Sequence, residues 1–148
     1  MVRCVVLTVS LVAASVCLLA QDFKAHEQHA VIAISALKAE ESKEGKDCSQ
    51  ARDQHEQNIC TAEVAEAADR NLALFYDNLK AIIDGDAQKK LQQSQDAWLQ
   101  YRASACDAVF EFYKDGSIRN SERARCDIRL TRQRMRDLDV LYEGPLHH

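Results

Sequence analysis

Helix breakers are scarce in this chain. Its 148 residues carry one proline, Pro145, and four glycines. Long helices are therefore unobstructed, because nothing interrupts the backbone ladder until the extreme C-terminus. Period-two alternation of apolar and polar residues is missing, as are internal repeats and low-complexity tracts. An all-β or solenoid reading has no support. The chain lacks a basic surplus: 19 Lys and Arg face 23 Asp and Glu, for a net charge of −4. An acidic protein is a poor nucleic-acid binder and a fair match for a basic protein partner. There is no C-x-x-C pair, no phosphate-cradling glycine loop and no nucleophile beside a base. That removes the usual zinc, nucleotide and hydrolase signatures.

What the chain does have begins with a distinct N-terminus. Arg3 precedes an apolar run from Cys4 to Ala20, and polarity returns at Gln21-Asp22. This reads as a signal peptide over residues 1–20, too short for a comfortable membrane span. A lipoprotein site at Cys17 needs a small residue before it, and Val16 is the wrong shape. Removing the segment takes one arginine and no acid, so the net charge becomes −5 on 128 residues. That length suits one modest domain without stable membrane insertion, placed in the periplasm or secreted.

Residues 21–46 read as an N-terminal helix and linker, ending near Gly45 after the charged run Lys38–Lys46. His26 and His29 are three apart there, but no third ligand accompanies them, so they read as solvated. The domain proper is expected over residues 47–142. Asp53 and Glu56 form a capping-box pattern that opens a helix running towards Ile83. Its stripe is Cys60, Val64, Ala68, Leu72, Phe75, Leu79 and Ile82. Gly85 is expected to close that helix, and Asp86 to cap the next.

The next helix, from Ala87 to about Lys114, reads as the centre of the fold. It carries the only tryptophan, and Leu91, Gln95, Trp98, Arg102 and Ala105 share one face with Cys106. Val109, Phe110, Phe112 and Tyr113 form an aromatic end expected to cover the base of the domain. After a turn at Asp115-Gly116-Ser117, Asn120 or Ser121 caps a last helix reaching Tyr142. Its stripe is Ala124, Ile128, Thr131, Met135, Leu138 and Tyr142. Five arginines between Arg125 and Arg136 are expected on its solvated faces. Residues 143–148 read as a tail. The fold class is thus all-α: a small helical bundle of three long helices plus an N-terminal helix.

Six cysteines become four once the signal is gone: Cys48, Cys60, Cys106 and Cys126. An even number in an exported chain implies two disulfides, and three pairings are possible. Cys106 and Cys126 lie ten residues either side of Gly116, so an antiparallel hairpin brings them level. Along one continuous helix Cys48 and Cys60 would stand about 18 Å apart. If the helix starts at Asp53, however, the preceding segment can fold back to reach Cys60.

These residues also carry a resemblance. The run L-x-x-x-Q-x-A-W-L-x-Y-R-x-x-x-C, Leu91 to Cys106, resembles the signature of the lysozyme inhibitor LprI-like family. So do Asp53 to Cys60, with a glutamate four residues before the cysteine, and the element Ala68 to Tyr76. Cys126, Leu130, Thr131, Arg134 and Leu138 resemble the family's closing block. The similarity covers about Cys48 to Leu141. Ala73 stands where the family usually has asparagine, and Asp53 where threonine is common. The resemblance implies an exported, disulfide-bonded helical domain and, for the family's named member, inhibition of lysozyme. Its motif residues read as framework: Trp98 and Leu138 for packing, Arg102 and Arg134 for fixing helices by charge-assisted hydrogen bonds.

Three functions compete on this reading. The leading one is an exported binding protein that blocks a peptidoglycan-degrading lysozyme. Its candidate contact is the loop Lys114, Asp115, Gly116, Ser117, Ile118 and Arg119, which an ordinary interhelical turn would also explain. The second is a cell-envelope interaction or immunity module that binds through a helical face such as Gln50 to Glu66. The third is an enzyme. It would have to rest on Glu56, Glu63 and Glu66, whose spacing is commonplace on solvated helices. The expectation is therefore no catalytic residue, no metal and no cofactor, with a protein partner such as a basic lysozyme.

Overall fold

The computed structural model describes residues 11–148, with side chains from residue 21 onward. Of the expected signal peptide, residues 1–10 lie outside the described residues, as do the side chains of residues 11–20, Cys17 among them. Among the described residues there are five helices and no strand: α1 Leu11–Glu41, α2 Gln54–Ala81, α3 Gly85–Phe112, α4 Arg119–Leu141 and α5 Glu143–His147. The class is the expected disulfide-stapled all-α bundle.

Local chemistry sets most of the boundaries. Asp53 caps α2, its Oδ1 accepting the Glu56 N–H at 2.8 Å. The reciprocal arm reaches one residue further than a standard capping box: Glu56 Oε2 accepts from the backbone N–H of Arg52 at 3.0 Å. Between α1 and α2 the chain runs through successive turns with Gly45 at φ +77° and Cys48 at φ +57°. Left-handed backbone at a non-glycine costs about 1 kcal/mol. Here it folds Cys48 back to Cys60, and the two bond with Cα atoms 5.7 Å apart. Cys106 and Cys126 bond across the α3–α4 hairpin with Cα atoms 5.6 Å apart. Both expected pairings are present.

Two caps fall elsewhere than expected. The N-cap of α3 is Asp84, so Gly85 opens that helix and Asp86 lies in its first turn. The N-cap of α4 is Ile118. Ser121 is instead fully buried, its hydroxyl donating to the Ile118 carbonyl and accepting from Gln54 Nε2 at 3.0 Å. The stretch after Tyr142, expected as a tail, is helical despite Pro145. Residues 143–147 form α5, which turns back and buries Leu146 in the main core. Proline in the first turn of a helix forfeits no internal hydrogen bond.

The larger correction concerns the centre of the bundle. α4, not the tryptophan helix, is the hub: it packs against α1, α2, α3 and α5. α3 packs closely on α4 alone, and its backbone scarcely approaches α2. Accordingly α3 buries only Leu91, Gln95 and Cys106, whereas α4 buries nine residues. The core joins Ala33, Ala36 and Leu37 of α1 to Leu72, Phe75 and Leu79 of α2, and to Met135 and Leu138 of α4. α1 is therefore part of the bundle rather than a mere linker to it.

Candidate functional site

Three features could carry function: the polar framework around Trp98, a buried ion-pair node on α1, and the tip where α3 turns into α4. The framework is built by residues spaced three and four apart on facing helices. Two guanidinium groups lie over the Trp98 ring, Arg102 at 5.0 Å and Arg134 at 5.8 Å from its centroid. Arg102 pairs with Asp69 of α2 through both terminal nitrogens. It also donates to Thr131 Oγ1 of α4 at 2.6 Å. Arg134 donates to Gln95 Oε1 at 3.1 Å and Ser94 Oγ at 2.8 Å. One layer of charge-assisted hydrogen bonds thus ties α2, α3 and α4 together, and Leu138 is fully buried in the adjoining core. Burial pushes the Arg134 guanidinium below its usual value. Burial also raises the Asp127 carboxyl, against the opposing pull of Arg102 and Arg123.

The second feature lies among the α4 arginines expected to face water. Arg132 is buried. Its Nε donates to Glu40 Oε2 at 3.0 Å, and its terminal nitrogens pair with Asp47. Glu40 is 1% exposed and also accepts from Asn71 of α2. This node joins α1, the α1–α2 turns, α2 and α4. His29 is likewise not simply solvated: its Nδ1 lies 2.7 Å from Asn78 Oδ1. The signal that could have found the node is the pairing of charges of opposite sign within two otherwise apolar stripes.

The tip is compact. Gly116 N–H donates to the Tyr113 carbonyl at 2.9 Å, and the Arg119 N–H donates to Gly116 at 3.3 Å. Arg119 lies 4.5 Å over the Phe110 ring and donates to the Lys114 carbonyl. Asn58 of α2 reaches the Ser117 carbonyl at 3.5 Å, and Gln54 reaches Ser121. Lys114, Asp115, Gly116 and Ser117 are exposed on this braced turn. The aromatic end does not cover the base as expected. Phe112 is 81% exposed, with Ile118 also at the surface. Large apolar groups thus stand exposed beside a braced, charged turn.

Chemistry of other kinds has little to work with. Glu56 is held by Arg52, whose hydrogen bonds keep the carboxyl below its ordinary value, and Glu66 lies 3.8 Å from Arg70. Among the described residues no group of three or more His, Cys, Asp or Glu side chains could hold a metal ion. None of the described helices is long and apolar enough to cross a membrane.

Fold and site together define a small cross-linked helical module whose accessible surface suits protein contact. Residues 46–138 match the family described as lysozyme inhibitor LprI, and the chain belongs to that family. An uncharacterized protein of Rhizobium meliloti (strain 1021) is 30% identical over 111 residues, covering 66% of this chain and 80% of the relative. No solved structure matches significantly. The family is one of inhibitors rather than enzymes, and the two disulfides fit an extracytoplasmic, oxidising setting.

Proposed function

We propose that this protein is exported through the segment 1–20 to the periplasm or beyond, and there inhibits a lysozyme by protein–protein contact. The observation that carries the reading is the family match over residues 46–138. Charge supports it: the chain is acidic, net −4, and animal-type lysozymes are generally basic, so encounter is steered. Their chemistry uses paired carboxylates in an open cleft. The tip offers a shape that could occupy such a cleft, with Phe112 as apolar anchor and Lys114, Ser117 and Arg119 as donors. A structural envelope module would use another face, such as Gln50–Glu66.

The test follows lysis of bacterial cells by c-type, g-type and phage-type lysozymes with the oxidised protein from Gln21 onward. Inhibition of one type near stoichiometric concentration is expected, weakened in the K114A/S117A/R119A variant without loss of helicity. Unchanged inhibition in that variant removes the loop from the contact. No inhibition of any type overturns the reading.

A further inference from the structure

Because α3 hangs on α4, a cleft stays open between α2 and α3. Its two ends are closed by side chains. At one, the Tyr76 hydroxyl donates to Gln92 Oε1 at 2.9 Å, and Lys80 joins the same oxygen at 3.0 Å. At the other, Arg102 pairs with Asp69. Between them lies a cavity of about 320 Å³ whose lining includes Leu72, Ala73, Leu99 and Gln95, with Asp77 and Asp96 on its rim.

The rim and floor are unevenly satisfied. Among the described residues, neither Asp77 nor Asp96 has an ion-pair partner; Asp96 accepts only from the neutral Gln92 amide, at 2.9 Å. Leu99 is 41% exposed. Gln95 is 93% buried. Its Oε1 is committed to Arg134, which fixes the amide's orientation; its Nε2 makes no hydrogen bond within the protein and is reached by solvent at the cleft, since no fully enclosed side-chain polar atom lacks a partner among the described residues.

We propose that this cleft binds a lysine- or arginine-bearing surface segment of a basic protein partner. The aliphatic stem of the cation lies along Leu72, Ala73 and Leu99. Its charged head sits between Asp77 and Asp96, and a main-chain carbonyl of the segment accepts from Gln95 Nε2. Long basic side chains suit this division between an apolar wall and a polar rim. Exposed, unpaired carboxylates lose little solvation when a cation arrives, so the contact gains on-rate and specificity rather than large affinity. The proposal rests on the reading of a basic protein target. It adds a second contact, separate from the tip.

The experiment has two arms. In the first, amide chemical shifts of the oxidised protein are followed while acetyl-Lys-Arg-Lys-amide is added at low salt. Shifts concentrated in Leu72–Asp77 and Gln92–Leu99 are expected. They should be lost in D77N/D96N, which keeps side-chain size, and in A73M, which fills the cleft. Shifts that scatter over the surface, or persist unchanged in both variants, overturn the proposal. This arm does not depend on lysozyme. In the second, D77N/D96N should weaken inhibition of the c-type enzyme by roughly tenfold, less so in high salt. If the wild type fails to inhibit, the functional reading falls and the peptide arm alone decides the cleft.

Discussion

Replacing Glu40 by alanine should destabilise this protein more than any exposed charge deletion. The carboxylate is 1% exposed and serves three donors: Arg132 Nε at 3.0 Å, Asn71 Nδ2, and Lys43 Nζ at 3.4 Å. Lys43 is half exposed and can return to water. Arg132 and Asn71 cannot do so freely, since one is buried and the other largely enclosed. A lost charged hydrogen bond costs about 1.5–3 kcal/mol, and an orphaned buried donor about 1–3 kcal/mol. Arg132 keeps its pair with Asp47, so the sum should be about 3–5 kcal/mol, the usual cost of breaking a buried pair. For a domain of this size that lowers Tm by roughly 10–20 °C. Urea unfolding followed by Trp98 fluorescence and far-UV circular dichroism measures it. The double variant E40M/R132M should recover only part of the loss: it removes the buried Glu40–Arg132 pair but leaves Asp47 without its Arg132 bonds and Asn71 without its acceptor. High salt should change neither result. A cost for E40A below about 1 kcal/mol would refute the claim that this node is a buried anchor of α1.

Two further outcomes are expected. Removing either disulfide as a Cys→Ser pair should cost about 3 kcal/mol, since the closed loops span 12 and 20 residues. Urea midpoints under oxidising conditions check this, and unchanged midpoints would remove the cross-links from the stability argument. In carboxyl carbon NMR, Asp127 should titrate above its ordinary 3.8 and Glu56 below its ordinary 4.5. The Asp127 contribution is then present below pH 3.8 and lost as pH rises through its raised value. That of Glu56 is present above 4.5 and lost as pH falls through its lowered value. The reverse order of shifts would contradict the burial of Asp127.

The stripes on α2 and α4 were legible because apolar periodicity on a chain almost free of breakers has one interpretation. Both disulfides followed from helix geometry plus one cap at Asp53. What stayed illegible was hierarchy among helices. Trp98 is the largest side chain on α3, yet it is only half-buried and leans on two guanidinium groups. The hub helix hides its role because it buries Arg132 and Arg134, and a scale of hydrophobicity scores both as solvent-facing. Their burial depends on Glu40, Asp47, Gln95 and Ser94, partners 39 to 92 residues away in sequence. Leu146 was lost for a related reason. One leucine after Gly-Pro carries no periodicity, yet it fills the gap where α5 meets α1.

The hub also explains where binding surface can exist. A helix that packs on four neighbours has less outer face to offer, although Val140 and Leu141 at the end of α4 stand 74% and 71% exposed. α3 packs on one, so its outer side, its cleft with α2 and its tip all remain accessible. These are the places where Leu99, Tyr101 and Phe112 stand exposed, at 41%, 59% and 81%. Single exposed apolar residues are ordinary, but three along one lightly packed helix are not a requirement of folding. The motif around Trp98 then has a structural reason to be polar. Arg102 through Thr131, and Arg134 through Gln95 and Ser94, hold α3 to the hub by directional bonds, while the Arg102–Asp69 pair spans to α2 at one end of the cleft without the apolar burial that would close it. An apolar replacement of this layer should draw α3 down onto α2. The fold could survive that change, while the surface it presents would be lost.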